Sequence, residues 1–199
     1  MNKIIIREKN KNFVFMQLLK KMGLVMFSAF LMNGAFAQEM TVEVGGAPMY
    51  PSKNIVENAI NSKDHTTLVA AVKAAGLVET LESAGPFTVF APTNEAFDKL
   101  PGGTVETLVK PENKTKLTGI LTYHVVAGRL DSKALADLIQ QGNGTAQLTT
   151  VEGGKLWVMM KGKNIVLKDE NGGMATVTIK DVYQSNGVIH VIDTVLMPK

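Results

Sequence analysis

Five short runs of residues with high β propensity follow one another in the last third of the chain, separated by turn-forming residues. The runs cover residues 148–151, 156–160, 165–168, 175–182 and 188–196. The separators are Gly153-Gly154, Gly162-Lys163-Asn164, Asn171-Gly172-Gly173 and Asn186-Gly187. Asparagine and glycine tolerate the positive φ angles that tight hairpin turns need. This part of the chain therefore predicts a meander of short strands.

Residues 52–142 instead show the apolar spacing and the end signals of short helices. The predicted helix starts are Ser52, Thr66 or Thr67, Thr93, Pro111 and Ser132. A further short helix is predicted to carry Leu77, Val78 and Leu81. The predicted helix ends include Gly76, Gly85-Pro86 and Gly142. Two β-rich segments interrupt these helices, a buried strand at 87–91 and a strand candidate at 123–126. A helix-rich half followed by a meander predicts an α+β domain rather than an alternating parallel sheet.

The N-terminal segment has the features of an export signal. Lys20 and Lys21 precede an apolar run at 22–32, and Ala35-Phe36-Ala37 has the small-x-small pattern of a cleavage site. A membrane anchor is the alternative, but this run is about half the roughly 20 apolar residues that a bilayer span takes. We therefore predict a signal peptide at 1–37, an irregular leader at 38–51 and a domain at 52–199. The mature protein is predicted to be secreted or periplasmic, without stable membrane insertion.

Charge and cysteine content exclude several functions. Six of the 21 basic side chains and one of the 18 acidic ones lie in residues 1–37, so the remainder carries 15 basic and 17 acidic side chains. A weakly acidic protein lacks the clustered cations that attract phosphate backbones, and nucleic acid is not a predicted partner. The absence of cysteine excludes disulfides, thiol catalysis and cysteine-ligated metals.

No catalytic motif is present, and we predict neither a cofactor nor a metal site. His65, His124 and His190 are far apart and form no metal-binding pair. His124 and His190 each lie in an otherwise apolar strand candidate, which indicates hydrogen-bonded histidines that fix strand geometry. The alternative is a hydrolase in which one of these two histidines is a general base with Asp181 or Asp193 nearby.

Three motifs carry a resemblance to a known family. Residues 87–97 (FTVFAPTNEAF) resemble the first signature of the fasciclin domain, residues 187–198 (GVIHVIDTVLMP) resemble the second, and Tyr123-His124 matches the Tyr-His motif between them. The resemblance covers about residues 55–198. It implies an α+β fasciclin-like fold in which helices pack around a β wedge of two small sheets, with FTVFA and VIHVID as partner strands. The chain is thus identified as a single-domain, secreted bacterial member of this family.

The resemblance also implies a function. The expected role is an extracellular or periplasmic cell-adhesion module without catalytic activity, which binds a cell-envelope or matrix protein or polysaccharide. Carried over by motif, the partner-binding residues would be Tyr123, His124, Ile192 and Asp193. Carriage of a small apolar ligand or pigment is one alternative, and a hydrolase using His124 or His190 is another. The oligomeric state is left open.

Overall fold

The computed structural model of this protein describes residues 41–199. The predicted signal peptide at 1–37 lies outside these residues. The strands are β1 (Val42–Val44), β2 (Ala47–Met49), β3 (Phe87–Pro92), β4 (Val125–Ala127), β5 (Thr145–Thr149), β6 (Lys155–Lys161), β7 (Asn164–Lys168), β8 (Met174–Gln184) and β9 (Gly187–Ile192). The helices are α1 (Ile55–Ala59), α2 (Thr66–Ala75), α3 (Val78–Glu82), α4 (Asn94–Asp98), α5 (Thr104–Leu108), α6 (Lys114–Tyr123) and α7 (Ser132–Gln141), with 3₁₀ turns at Lys63–His65 and Pro111–Asn113.

The main sheet has the strand order β4-β3-β9-β8-β7-β6-β5. Strands β3 and β9 pair in parallel, from Phe87 opposite Gly187 to Pro92 opposite Ile192. The other neighbours in this sheet are antiparallel. The two segments that resemble the fasciclin signatures are therefore adjacent strands, as predicted, although about 100 residues separate them.

Strand β8 connects two halves of the sheet. Its first residues pair with β7, whereas residues 177–184 pair with β9, and the register shifts twice between 177 and 182. Such irregularities bend a strand and increase its twist. The two outer strands of this sheet are β4 and β5, and the chain just after β5 contacts β4. Val126 forms a β-bridge with Thr150, and the Val151 N–H donates to the Val125 carbonyl at 2.7 Å. The predicted α+β class is confirmed, with strands that almost close on themselves.

Helix α7 fills the inside of this curved sheet. Leu135 and Ile139, four residues apart and hence on one helical face, pack against Leu156, Val158 and Leu167. Burying each such side chain contributes about 1.5–3 kcal/mol. Helices α2, α4, α5 and α6 form a second apolar cluster, and β1, β2 and α1 pack with β3 and β9 in a third.

Two segments differ from the sequence prediction. Residues 42–49, in the predicted irregular leader, form a hairpin whose turn residues Gly45 and Gly46 have φ angles of 60° and 73°. The strand predicted at 123–126 is wrong in its first half, because Tyr123 ends α6 and His124 follows with φ −86° and ψ 0°. His124 continues the helical spacing of Leu117, Ile120 and Leu121, so the strand begins at Val125.

Candidate functional site

The Tyr123 side chain lies at the end of α6 and is fully buried. Its hydroxyl donates to the Lys155 carbonyl at 2.6 Å and accepts from the Glu170 N–H at 3.2 Å. Burial is the main reason that the pKa of Tyr123 is raised to about 12, and the hydrogen bond from Glu170 opposes it in part. The neutral phenol thus connects α6 to the start of β6 and to the turn after β7.

The next residue, His124, is 3% exposed and connects α6 to the chain terminus. Nδ1 lies 2.8 Å from the Ile120 carbonyl, and the Leu196 N–H donates to Nε2 at 3.0 Å. Because a carbonyl only accepts and an N–H only donates, the ring must be neutral with its proton on Nδ1. Burial lowers the pKa of His124 to about 4, which agrees with this assignment.

The residues after β9 have no regular secondary structure, and we refer to residues 193–198 as the C-terminal segment. Asp169 holds it from the turn before β8, since its carboxylate accepts from the main-chain N–H groups of Asn171, Gly173 and Met197 at 3.0, 2.6 and 3.0 Å. The Asn171 side chain donates to the Met197 and Pro198 carbonyls. Together with His124, these residues fix the C-terminal segment along much of its length.

Asp193 begins the C-terminal segment and is partly exposed. Its Oδ1 accepts from the Thr176 N–H at 2.7 Å, and its carbonyl accepts from Lys99 Nζ at 2.5 Å. Ile192, by contrast, is fully buried in the same apolar cluster as Tyr123. Of the four residues predicted to bind a partner, three are thus buried and one reaches the surface, and all four lie around the C-terminal segment.

His190 lies in β9, as predicted, and is also buried. Its Nε2 lies 2.8 Å from the Leu130 carbonyl, the Asp181 N–H points at Nδ1 from 3.4 Å, and the ring stacks on Phe90 at 5.7 Å between centroids. Burial lowers the pKa of His190. The Asp181 carboxylate binds the N–H and hydroxyl of Ser132 instead of the imidazole.

Neither His124 nor His190 has the geometry of a general base. Both ring nitrogens of each contact main-chain groups, so neither presents an unused lone pair to a substrate. Within residues 41–199 there is also no group of three or more histidine and acidic residues that could hold a metal ion. No helix in the same residues is long and apolar enough to cross a membrane.

Sequence reasoning missed the third histidine. In the sequence His65 stands out only as one of three widely spaced histidines, yet it is buried in the 3₁₀ turn before α2 and lines a cavity beneath the helices. Because the other lining residues come from α1, α2, α3 and several strands, no local pattern in the sequence could have indicated this cavity.

These features define a class of protein, a small α+β domain whose buried histidines connect its elements through main-chain hydrogen bonds. The chain belongs to the Fasciclin domain family, whose model matches residues 63–198. It is 47% identical over 160 residues to Protein sll1483 of Synechocystis, a match that covers 80% of this chain and 82% of that one.

Two other similarities agree with this assignment. The chain is 40% identical over 145 residues to the immunogenic protein MPB70 of Mycobacterium bovis, covering 70% of this chain and 66% of that one. A solved structure of a FAS1 domain pair from the insect cell adhesion molecule Fasciclin I superposes with a TM-score of 0.66 at 19% identity. That match covers 80% of this chain and 58% of the domain pair, and it confirms the fold.

Proposed function

We propose that this protein is an exported cell-adhesion module that binds a cell-envelope or matrix protein or polysaccharide and has no catalytic activity. Membership of a family known in adhesion proteins supports the proposal, as does the fold shared with an insect cell adhesion molecule. The sequence of residues 1–37 supports export to the periplasm or the medium.

The observation that carries the proposal is the fixed conformation of the C-terminal segment. An irregular surface segment normally loses conformational entropy when a partner immobilises it, and this loss weakens binding. Here the contacts of Asp193, Leu196 and Met197 already immobilise the segment before any partner arrives. A pre-organised segment of this kind is suited to recognition.

The four motif residues then have different roles in this proposal. Asp193 and its partly exposed neighbour Thr194 contact the partner, whereas Tyr123, His124 and Ile192 position the segment from below. One domain offers one such surface, so the affinity of a single copy is expected to be low and its avidity to depend on clustering. The proposal therefore needs a test in which many copies are displayed together.

The test uses beads coated with the protein and envelope fractions of the source organism. Thr194, a partly exposed residue of the C-terminal segment, is replaced in Thr194→Arg to obstruct the surface. Thr145→Arg, on the exposed edge strand β5, is the matched control. Saturable binding by wild type and control, lost in Thr194→Arg with an unchanged melting temperature, supports the proposal.

Pretreatment of the fractions distinguishes the two partner classes. Loss of binding after protease treatment indicates a protein, and loss after glycosidase treatment indicates a polysaccharide. Absence of saturable binding to every fraction, or equal binding by wild type and Thr194→Arg, would contradict the proposed surface.

A further inference from the structure

The strands β5, β6 and β7 have one face inside the domain and one face outside it. Side chains alternate along a strand, and those that point inward here belong to the apolar cluster around α7. We call the opposite side the β5–β7 face. Its partly or fully exposed side chains include Gln147, Lys155, Trp157, Met159, Lys161 and Lys168.

This face is basic, although the chain after residue 37 is weakly acidic as a whole. Four of the 15 basic side chains in that part lie on the face or in the β6–β7 turn at its edge, namely Lys155, Lys161, Lys163 and Lys168. The outward positions of β5, β6 and β7 carry no acidic side chain. Within residues 41–199 the one salt bridge joins Lys133 and Asp137 on α7, so none of the four lysines is paired there.

Two acidic side chains border the face at its Lys155 end, and both are occupied. Glu152 and Glu170 lie in turns, where their carboxylates accept from the N–H groups of Gly154 at 2.9 Å and of Lys155 at 3.2 Å. The Lys155 ammonium group donates to the Thr149 hydroxyl at 2.7 Å. The positive charge of the face therefore lies mainly with the other three lysines.

Trp157 lies among these lysines and supplies a flat apolar surface. The sheet register places it between Gln147 on β5 and Lys168 on β7. Lys155 and Lys161 lie on the same strand on either side of it, six residues apart, so the stripe between them is roughly 20 Å long. The face thus combines a row of cations with one aromatic ring.

An extended anionic sugar chain matches this combination. Its acidic groups pair with ammonium groups, and the C–H-bearing face of a sugar ring packs on an indole ring. The Gln147 side chain can both donate to and accept from sugar hydroxyl groups. A straight stripe on a sheet also suits an extended polymer, because successive sugars can contact successive side chains.

Other polyanions match the face less well. Proteins that bind single-stranded nucleic acid stack successive bases on several aromatic side chains, and the β5–β7 face has one. An aromatic side chain that enters a lipid interface has to project beyond its surroundings. Trp157 instead lies in the middle of a sheet, with side chains of both adjacent strands beside it.

We propose that the β5–β7 face binds an acidic polysaccharide, with Lys161, Lys163 and Lys168 on its anionic groups and Trp157 against a sugar ring. This is a second surface, and it does not depend on the proposed role of the C-terminal segment. Single exposed ion pairs are weak, so the affinity comes from several contacts acting together along the polymer. Because the charges are exposed, salt screens them and binding should weaken as the salt concentration rises.

Trp157 makes the test specific to this face, since it is the one tryptophan in the chain. The purified protein is titrated with polygalacturonate, a polymer with a carboxylate on each sugar. Tryptophan fluorescence should change saturably, and the change should disappear at high salt. Dextran, a polysaccharide without charge, should have no effect at the same concentration of sugar units.

Charge-removing variants test the lysines. Lys161→Gln/Lys168→Gln should weaken polygalacturonate binding by about threefold to tenfold, because two exposed ion pairs are lost. Lys110→Gln/Lys116→Gln is the matched control, since it removes the same charge from exposed positions in the helical part of the domain. The control should bind like the wild type, and both variants should keep the wild-type melting temperature.

The contrary results are equally specific. No saturable fluorescence change with polygalacturonate, an equal response to dextran, or equal affinities of the two double variants would overturn the proposal. Tighter binding of anionic phospholipid vesicles or of a single-stranded oligonucleotide than of polygalacturonate would also overturn it, because the partner would then belong to another class.

The result is distinguishable from that of the adhesion test. Thr194→Arg leaves the β5–β7 face intact and adds a cation, so it should bind polygalacturonate at least as tightly as the wild type. Soluble polygalacturonate should block the β5–β7 face alone. When it is added to the coated beads, any remaining binding to envelope fractions therefore reports on the C-terminal segment.

Discussion

His124 accepts a hydrogen bond from the main-chain N–H of Leu196, 72 residues further along the chain, while its other ring nitrogen binds the Ile120 carbonyl. One side chain thereby completes the end of α6 and holds the C-terminal segment against it. Both partners are main-chain groups that would be buried without a hydrogen bond if the imidazole were removed.

His124→Phe should therefore destabilise the domain while keeping an aromatic ring in the same place. Each buried group left without its partner costs about 1–3 kcal/mol, so we expect the free energy of unfolding to fall by about 2–5 kcal/mol. Urea denaturation followed by circular dichroism measures the change. Lys161→Gln, at an exposed end of β6, serves as the control and should be near wild type. An unchanged midpoint in His124→Phe would show that the histidine acts only by its volume.

Stability should also fall in mild acid. Burial lowers the pKa of His65, His124 and His190 below the 6.5 of an unfolded chain, and that of His124 to about 4. Below pH 6.5 the unfolded chain thus takes up protons that the folded protein excludes, so stability is complete above pH 6.5 and decreases towards pH 4. For His124 alone the fall from 6.5 to about 4 corresponds to about 3 kcal/mol.

Urea midpoints at pH 7.5, 6 and 5 measure this dependence. His124→Phe removes one of the three groups, so its free energy of unfolding should fall by about 1 kcal/mol less than that of the wild type between pH 6 and pH 5. A wild-type stability that is constant from pH 7.5 to 5 would mean that the buried histidines take up protons in the folded state as readily as in the unfolded one.

Tyr123 should contribute through its hydroxyl group as well as its ring. Tyr123→Phe removes the group that bonds Lys155 and Glu170, and we expect a loss of about 1–2 kcal/mol in the free energy of unfolding. Tyr183→Phe is the matched control, because that hydroxyl contacts Asp131 at 3.2 Å on the exposed surface. Equal losses in both variants would argue against a specific role for the buried hydroxyl.

Much of the fold was predictable because it depends on local patterns. Thr93 caps the start of α4 as predicted, because its hydroxyl accepts a hydrogen bond from the Ala96 N–H. Gly76 ends α2 as predicted, because glycine readily adopts the φ of 73° found there. Other helix starts were wrong by one or two residues. Asn54 and Asp131, rather than Ser52 and Ser132, form the capping hydrogen bonds, because several acceptable caps stand next to each other in the sequence.

The functional features were harder to predict because they depend on contacts between distant residues. The sequence pattern predicts a strand at His124. Its hydrogen bond with the Leu196 N–H joins residues 72 positions apart, which no local pattern encodes. Helix α5 was missed because its five residues follow Pro101 and two glycines, which indicate a loop. The cavity at His65 is lined by residues of several helices and strands, which must be brought together before it exists.

Asp169 offers a test that connects stability to the proposed adhesion surface. The residue is 4% exposed, and its carboxylate accepts three main-chain hydrogen bonds, of which the one from Met197 holds the C-terminal segment. Asp169→Asn replaces one acceptor oxygen by a donor amide, so it should release part of the segment and leave β3 and β9 paired.

Hydrogen exchange should detect this release directly. In Asp169→Asn the amides of Leu196 and Met197 should exchange at least about tenfold faster, while those of Val89 and Val191 in the central strands keep their protection. If the pre-organised segment is the adhesion surface, the same variant should bind envelope fractions more weakly at a temperature where it is fully folded. Faster exchange with undiminished binding would show that binding does not depend on the fixed conformation of the C-terminal segment. The contact surface would then have to lie elsewhere on the domain.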